Sequence, residues 1–291
     1  MGAFCYAPIA NTMKKIWTCF CGAIILSLAA SQLPAQAVRK TINARFDSLS
    51  FINLRAALNA LPTADYSRGR YERDGIILPY RLLTPLQNFK QKRYPLVIAL
   101  HNSSRIGSDN EAQLEPLARI WLQAAIRRQY PAYVLAPQFN ERSTQYAPDV
   151  ARGILVSQPS PAVSVLLQLI DSLAQQPGID ASRIYLVGYS MGGSTAQNLL
   201  NLRPGLFAAV VSIAGVPDFS NLVNVNGKPL WLAHGLADAE NPYAGSEVYF
   251  RTVRSSGNIL FTSYEGLDHN NITYPFLSND AIPAWLWKHR P

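Results

Sequence analysis

Between residues 69 and 290, short apolar runs alternate with longer stretches that are apolar on one side only. The runs are 95–100, 132–136, 184–187, 208–213, 229–233 and 259–264, each four to six residues long and rich in Val, Ile, Leu and aromatic residues. A run that is apolar throughout, rather than at alternate positions, predicts a strand covered on both faces, as in a parallel sheet under helices. The stretches 113–128, 162–175, 194–201, 245–253 and 281–288 repeat their apolar residues at helical spacing. Strand and helix in alternation predict a mostly parallel, doubly wound α/β sheet with helices on both faces, in a single domain. Ahead of it, 69–83 reads as a hairpin turning at Asp74-Gly75, and 54–61 as a short helix stopped by Pro62. In such sheets ligands meet the carboxyl ends of the strands, so the chemistry is sought just after each run.

The first 37 residues break this pattern. Lys14 and Lys15 precede a 15-residue apolar stretch, 16–30, followed by Pro34 and the small-x-small triplet Ala35-Gln36-Ala37. That order is the order of a secretory signal peptide, and the stretch falls short of the ~20 residues that span a bilayer. The expectation is cleavage after Ala37 and a secreted or periplasmic product with no integral membrane association, with Met13 as a candidate true start. An uncleaved anchor or a buried N-terminal helix is the competing reading. Residues 38–68, of mixed polarity, are expected to lead into a catalytic domain over 69–291.

Cleavage changes the composition. It removes Cys5, Cys19 and Cys21, all the cysteines of the chain, and two lysines, so a net charge of +8 becomes +6 and 254 of 291 residues remain. A chain of that kind must rely on its core rather than on disulfides. With 48% hydrophobic and 15% charged residues it is not a disordered chain. Its basic residues form no clustered run, which gives no footing for nucleic acid. No Cys/His cluster at ligand spacing points to a metal, and no cofactor is expected.

One motif carries chemistry. After the run 184–187 comes Gly188-Tyr189-Ser190-Met191-Gly192-Gly193, leading into a helical stretch. This is G-x-S-x-G between a strand and a helix, a sharp turn that lifts a serine hydroxyl above the sheet. The flanking glycines are there because a Cβ would crowd the passing backbone. Ser190 is the candidate nucleophile, and the Met191 N–H, at a helix start, a candidate oxyanion donor. Serine needs a base and an acid to act. His269, in a loop after the last run with Gly266 to turn it, is the candidate base, whereas His289 reads as a solvated tail. Asp238, just past the run 229–233, is the candidate acid, with Asp218, Glu240 and Asp268 as competitors. His234 reads as a hydrogen-bonded structural residue. The second oxyanion donor is sought in the loop after 95–100, at the Ser103 N–H with Asn102 as the alternative. Asn102, Tyr189 and Gln138 are candidate substrate contacts, and no lipase-like lid insertion is evident.

These residues resemble the α/β-hydrolase superfamily. Within it they are similar to the secreted esterases and depolymerases grouped with dienelactone hydrolase, feruloyl esterases and polyhydroxyalkanoate depolymerases, whose relatives include proteins labelled phospholipase/carboxylesterase or predicted peptidase. The resemblance runs through 78–83, 94–101, 107–110, 134–138, the serine turn, 207–215, His234-Gly235-x-x-Asp238 and Gly266-x-x-His269. It implies an α/β-hydrolase fold, a Ser190–His269–Asp238 triad and a covalent acyl-enzyme. One departure stands out. Relatives carry Gly after the loop histidine and again two residues on, where this chain has Asn102 and Ser104; Asn tolerates left-handed backbone better than most residues. Arg105-Ile106 likewise departs from the Glu-Arg common in relatives.

The expected function is that of a serine hydrolase cleaving carboxylic esters, small or polysaccharide-linked. A peptidase of the prolyl-oligopeptidase kind shares the triad, and a non-catalytic binding protein on the same scaffold is the third reading.

Overall fold

Apart from the isolated Gly2, the computed structural model describes residues 36–87 and 91–290. The expected signal segment, with its cysteines, lies outside the described residues except for Gly2, Gln36 and Ala37. Residues 34–291 form one compact unit. Among the described residues no helix is long and apolar enough to cross a membrane.

In chain order the elements are β1 (Val38–Asn43), α1 (Ser48–Asn59), β2 (Tyr66–Arg73), β3 (Ile76–Leu83), β4 (Tyr94–Leu100), α2 (Pro116–Arg119), α3 (Ala124–Gln129) and β5 (Tyr133–Pro137). There follow β6 (Thr144–Asp149), β7 (Ile154–Pro159), α4 (Pro161–Ala174), β8 (Ile179–Tyr189), α5 (Met191–Leu202) and β9 (Ala209–Ile213). The chain closes with β10 (Leu230–Gly235), α6 (Tyr243–Val253), β11 (Ile259–Glu265), α7 (Tyr274–Leu277) and α8 (Ala281–Leu286). Among the described residues the main sheet has nine strands, in the order β1-β11-β10-β9-β8-β4-β5-β3-β2. Neighbours from β1 to β5 pair parallel, and β3 runs antiparallel to both β5 and β2.

Burial on both faces explains the unbroken apolar runs. Along β4, Leu96, Ile98 and Leu100 join a core with α4, α5 and α6, while Val97 and Ala99 join the opposite core with α1, α2, α3 and α8. At roughly 1.5–3 kcal/mol per fully buried aliphatic side chain, these two layers supply the driving force that disulfides do not.

Three expectations are corrected. Residues 113–128 are not one helix: Glu115 is extended (φ −84°, ψ 175°) ahead of Pro116, as the proline ring requires, and Gln123 is extended again between two short helices. The lead-in segment is part of the fold, because β1 pairs parallel with β11 from Val38 to Asn43. Its helix α1 begins at Ser48, where Asp47 caps the Leu49 and Ser50 N–H groups. Beyond these, β6 and β7, unmarked in the sequence reading, form a separate hairpin whose Tyr146 hydroxyl meets Ser194 Oγ at 3.0 Å in the first turn of α5. The β2–β3 hairpin turns at Asp74-Gly75 as expected, both with positive φ (52° and 75°), the geometry of a type I′ turn.

The turn after β8 is the most constrained piece of backbone. Ser190 sits at φ 57°, ψ −120°, a costly conformation for a residue with a Cβ. A Cβ on Gly188 would lie 2.1 Å from the Gly192 carbonyl oxygen, and one on Gly192 2.2 Å from the Leu100 carbonyl oxygen. Gly192→Ala is therefore expected to cost about 1–3 kcal/mol or more, read as a lowered Tm, because β4 must move to admit it.

Candidate active site

The turn holds Ser190 at the carboxyl end of the central strand β8, where the Ser190 N–H donates to the Ile213 carbonyl at 2.9 Å. Its Oγ lies 2.8 Å from His269 Nε2, and His269 Nδ1 lies 2.7 Å from Asp238 Oδ2. The three candidates, far apart in sequence, meet at the carboxyl edges of β8, β10 and β11. Facing a carboxylate, Nδ1 carries the proton; Nε2 is then bare and accepts from the serine hydroxyl. All three side chains are buried, and Ser190 retains 8% of its exposure.

The loops that bring them together are tied by short-range bonds. Gly266 (φ 75°) lets the chain reverse after β11, and the Asp268 carboxylate accepts from the Asn270 and Asn271 N–H groups at 2.9 and 3.1 Å. The Tyr189 hydroxyl donates to the His269 carbonyl at 2.7 Å, so the residue before the nucleophile fixes the base. Asp268 thus serves its own loop. Asp218 accepts from Asn198 Nδ2 at 2.7 Å within the core, and Glu240, 59% exposed, approaches His269 Nε2 no closer than 3.8 Å. Asp238 alone of the four acids meets Nδ1.

Asp238 has further partners. Its Oδ1 accepts from the Glu240 and Asn241 N–H groups at 3.0 and 2.8 Å, and its Oδ2 meets a second imidazole, His234 Nε2, at 3.1 Å. That nitrogen is also 2.8 Å from the Asn241 carbonyl; between two acceptors it must carry a hydrogen, leaving His234 Nδ1 to accept from Ser246 Oγ at 2.8 Å. Burial alone would raise the Asp238 pKa, but the hydrogen bonds and charges of His234 and His269 outweigh it and hold the carboxyl well below the ordinary range. His234, expected to be merely structural, is in direct contact with the acid.

The loop after β4 solves the problem set by Asn102 in an unexpected way. Asn102 is extended (φ −77°, ψ 171°), so no left-handed backbone is asked of it. Its N–H and its Nδ2 both donate to the Glu115 carboxylate, at 3.2 and 2.5 Å, while its Oδ1 accepts from the Ser104 N–H and hydroxyl at 2.8 and 2.6 Å. Asn102 is therefore a brace for the turn, and its N–H is committed. The Ser103 N–H meets no acceptor among the described residues, nor does that of Met191, the first residue of α5. His101 completes the brace: its ring accepts from the Phe139 N–H at 3.0 Å and donates to the Asn102 carbonyl at 2.8 Å, and burial pulls its pKa down to about 4. Gln138 is fully buried and ties Asp109, Asn110 and Arg105 together, which corrects its expected role as a substrate contact. His289 is half-buried against Trp285, with ring centroids 4.3 Å apart, rather than a solvated tail.

Glu115 went unnoticed in the sequence, because no motif spacing marks it and it sits 13 residues from the residue it holds. Burial, opposed by Arg105, the Asn102 N–H and the charge of Arg55, pushes its carboxyl up to about 7. A raised carboxyl pKa favours the protonated folded state. Its contribution to stability is therefore full below the unfolded value near 4.5 and lost as pH rises through about 7. Thermal unfolding between pH 4.5 and 7 is expected to show the wild type losing stability relative to Glu115→Gln as pH rises.

The comparisons with known proteins bear on the fold that carries this arrangement. The prolyl oligopeptidase family matches residues 163–225, the stretch that carries β8, Ser190, α5 and β9. The structure is similar to that of a thermostable esterase, with TM-score 0.70 and 28% identity over 78% of this chain and 63% of that one. Est1E from Butyrivibrio proteoclasticus is similar at TM-score 0.52 and 14% identity, covering 76% of this chain and 98% of that one. Dipeptidyl peptidase 4 of Porphyromonas gingivalis gives TM-score 0.54 and 15% identity, covering 77% and 35%. The chain thus spans 63% of the length of the thermostable esterase. No curated protein sequence matches it. The chain has the α/β-hydrolase fold, and its likenesses within that superfamily are to esterases and dipeptidyl peptidases.

Proposed function

We propose that this protein is a serine hydrolase of carboxylic esters, with Ser190 as nucleophile, His269 as general base and acid, and Asp238 as its orienting carboxylate. The observation that carries the reading is the unbroken chain Ser190 Oγ–His269 Nε2, 2.8 Å, and His269 Nδ1–Asp238 Oδ2, 2.7 Å, mounted on a strained turn. Ser190 Oγ adds to the ester carbonyl as its proton passes to His269 Nε2. The oxyanion is stabilised by the Met191 and Ser103 N–H groups, a type of contact worth roughly 10²–10³ in rate. Collapse expels the alcohol, which takes the proton from His269, and leaves an acyl-serine. Water, deprotonated by the same nitrogen, then releases the acid and restores the hydroxyl.

Against this reading stands amide cleavage, favoured by the match of 163–225 to the prolyl oligopeptidase family. Aryl esters of graded acyl length, feruloyl esters and short peptide anilides separate the two. Ester turnover with negligible anilide turnover is expected, and the reverse would overturn the ester assignment. His234 is expected to matter in the same assay: His234→Ala removes a hydrogen bond to a charged oxygen, so kcat/KM should fall about 10–100-fold.

The export proposal rests on the sequence of 14–37, and a cleavage after Ala37 would leave β1 whole from Val38. A mature N-terminus at Val38, found by mass spectrometry of the exported protein, is the expected result.

A further inference from the structure

A cavity of about 100 Å³ opens beside the triad, lined by Arg55, Asn102, Glu115, Tyr189, Asn270 and Thr273 together with Pro116 and Leu117. Three of these are chain neighbours of the reacting groups: Tyr189 precedes Ser190, Asn270 follows His269, and Asn102 precedes Ser103. Whatever part of a substrate enters the cavity is therefore attached close to the bond being broken.

The lining contains one cation. Arg55, carried on α1, lies 5.4 Å from the centre of the Phe51 ring and has no hydrogen-bond or ion-pair partner among the described residues. Glu115 feels the Arg55 charge without forming an ion pair with it, and the acids nearby have hydrogen-bond donors of their own. Both oxygens of Glu115 accept from Asn102, and Glu240 accepts from Asn270 Nδ2 at 2.9 Å. The Tyr189 hydroxyl is given to the His269 carbonyl, which leaves the Thr273 hydroxyl as a second donor with no acceptor among the described residues. At about 7, the raised Glu115 pKa also leaves much of its negative charge neutralised at neutral pH.

We propose that this cavity is a subsite for a carboxylate on the substrate, with Arg55 as its counter-charge and specificity determinant; the proposal rests on the ester-hydrolase reading above. The size agrees with the chemistry. A cavity of about 100 Å³ suits a small polar group such as a carboxylate on a methylene. A guanidinium presents paired donors that match a carboxylate. Asn102, by bracing the oxyanion turn, also forms one wall of the subsite, so the side chain that replaces the usual glycine narrows what the enzyme accepts.

Two matched pairs of esters test this in the full chain. Monoethyl glutarate against ethyl pentanoate places the carboxylate on the acyl side, and 3-acetoxybenzoate against phenyl acetate places it on the alcohol side. In at least one pair the anionic ester is expected to show about 10-fold higher kcat/KM. Arg55→Gln should bring that ratio to one or below through KM, whereas Arg73→Gln, at the tip of the distant hairpin, should leave it unchanged. Preference for the neutral ester in both pairs, or a preference that survives Arg55→Gln, would overturn the subsite. A binding measurement keeps the subsite distinct from the hydrolase reading. Succinate should raise the Tm of Ser190→Ala above that in chloride of equal ionic strength, and Arg55→Gln in that background should abolish the rise; no rise in either would contradict the proposal. Failure of all four esters with succinate stabilisation intact would instead refute the hydrolase reading alone.

Discussion

Ser190→Ala is expected to lower ester kcat by about 10⁶-fold, because the triad acts as a unit and nothing nearby replaces the nucleophile. The hydroxyl one helical turn on, Ser194 Oγ, is shared among Tyr146, the Ser190 carbonyl and the Val216 N–H. The fold should survive. Alanine keeps the Cβ that the turn already accommodates at φ 57°, and only one buried hydrogen bond, to His269, is lost. A Tm within a few degrees of wild type, measured beside the kinetics, would assign the loss to chemistry.

Asp238→Asn should cost about 10⁴-fold in kcat, the effect seen when such an acid is made an amide, and the local geometry gives the reason. Two backbone N–H groups demand an acceptor at Oδ1, while His234 and His269 demand one at Oδ2. An amide has a single oxygen. Spent on the backbone, it turns an NH₂ toward both imidazoles and drives His269 into the tautomer whose Nε2 bears the proton, so it no longer accepts from Ser190. Acid stability carries a second signature. Because the Asp238 pKa is lowered on folding, its contribution is present above the unfolded value, ~3.9, and is lost as pH falls below it. Acid unfolding below pH 4 should therefore separate wild type from Asp238→Asn less and less.

Much of this site could be read from the chain, for physical reasons. G-x-S-x-G between an apolar strand and a helix predicts Ser190 because the turn admits no Cβ at Gly188 or Gly192, a requirement local in sequence. His269 and Asp238 follow because loops at the carboxyl ends of parallel strands converge. What stayed hidden depends on contacts rather than pattern. β1 is mostly exposed and shows no alternation, being held to β11 by backbone pairing. The β6–β7 hairpin gains its place from tertiary contacts, against α5, α6 and the Pro217 carbonyl after β9. Glu115 matters only because Pro116 forces it into an extended backbone from which its carboxylate reaches Asn102. His234 was visible in His234-Gly235-x-x-Asp238, but its bond to the acid required the loop through Asn241 to be folded.

A fluorophosphonate probe, followed by peptide mapping of the labelled protein, addresses the central claim most directly. The account predicts one adduct, on the peptide containing Ser190, and none in Ser190→Ala. Absence of any adduct in the wild type, or labelling undiminished in Ser190→Ala, would contradict it.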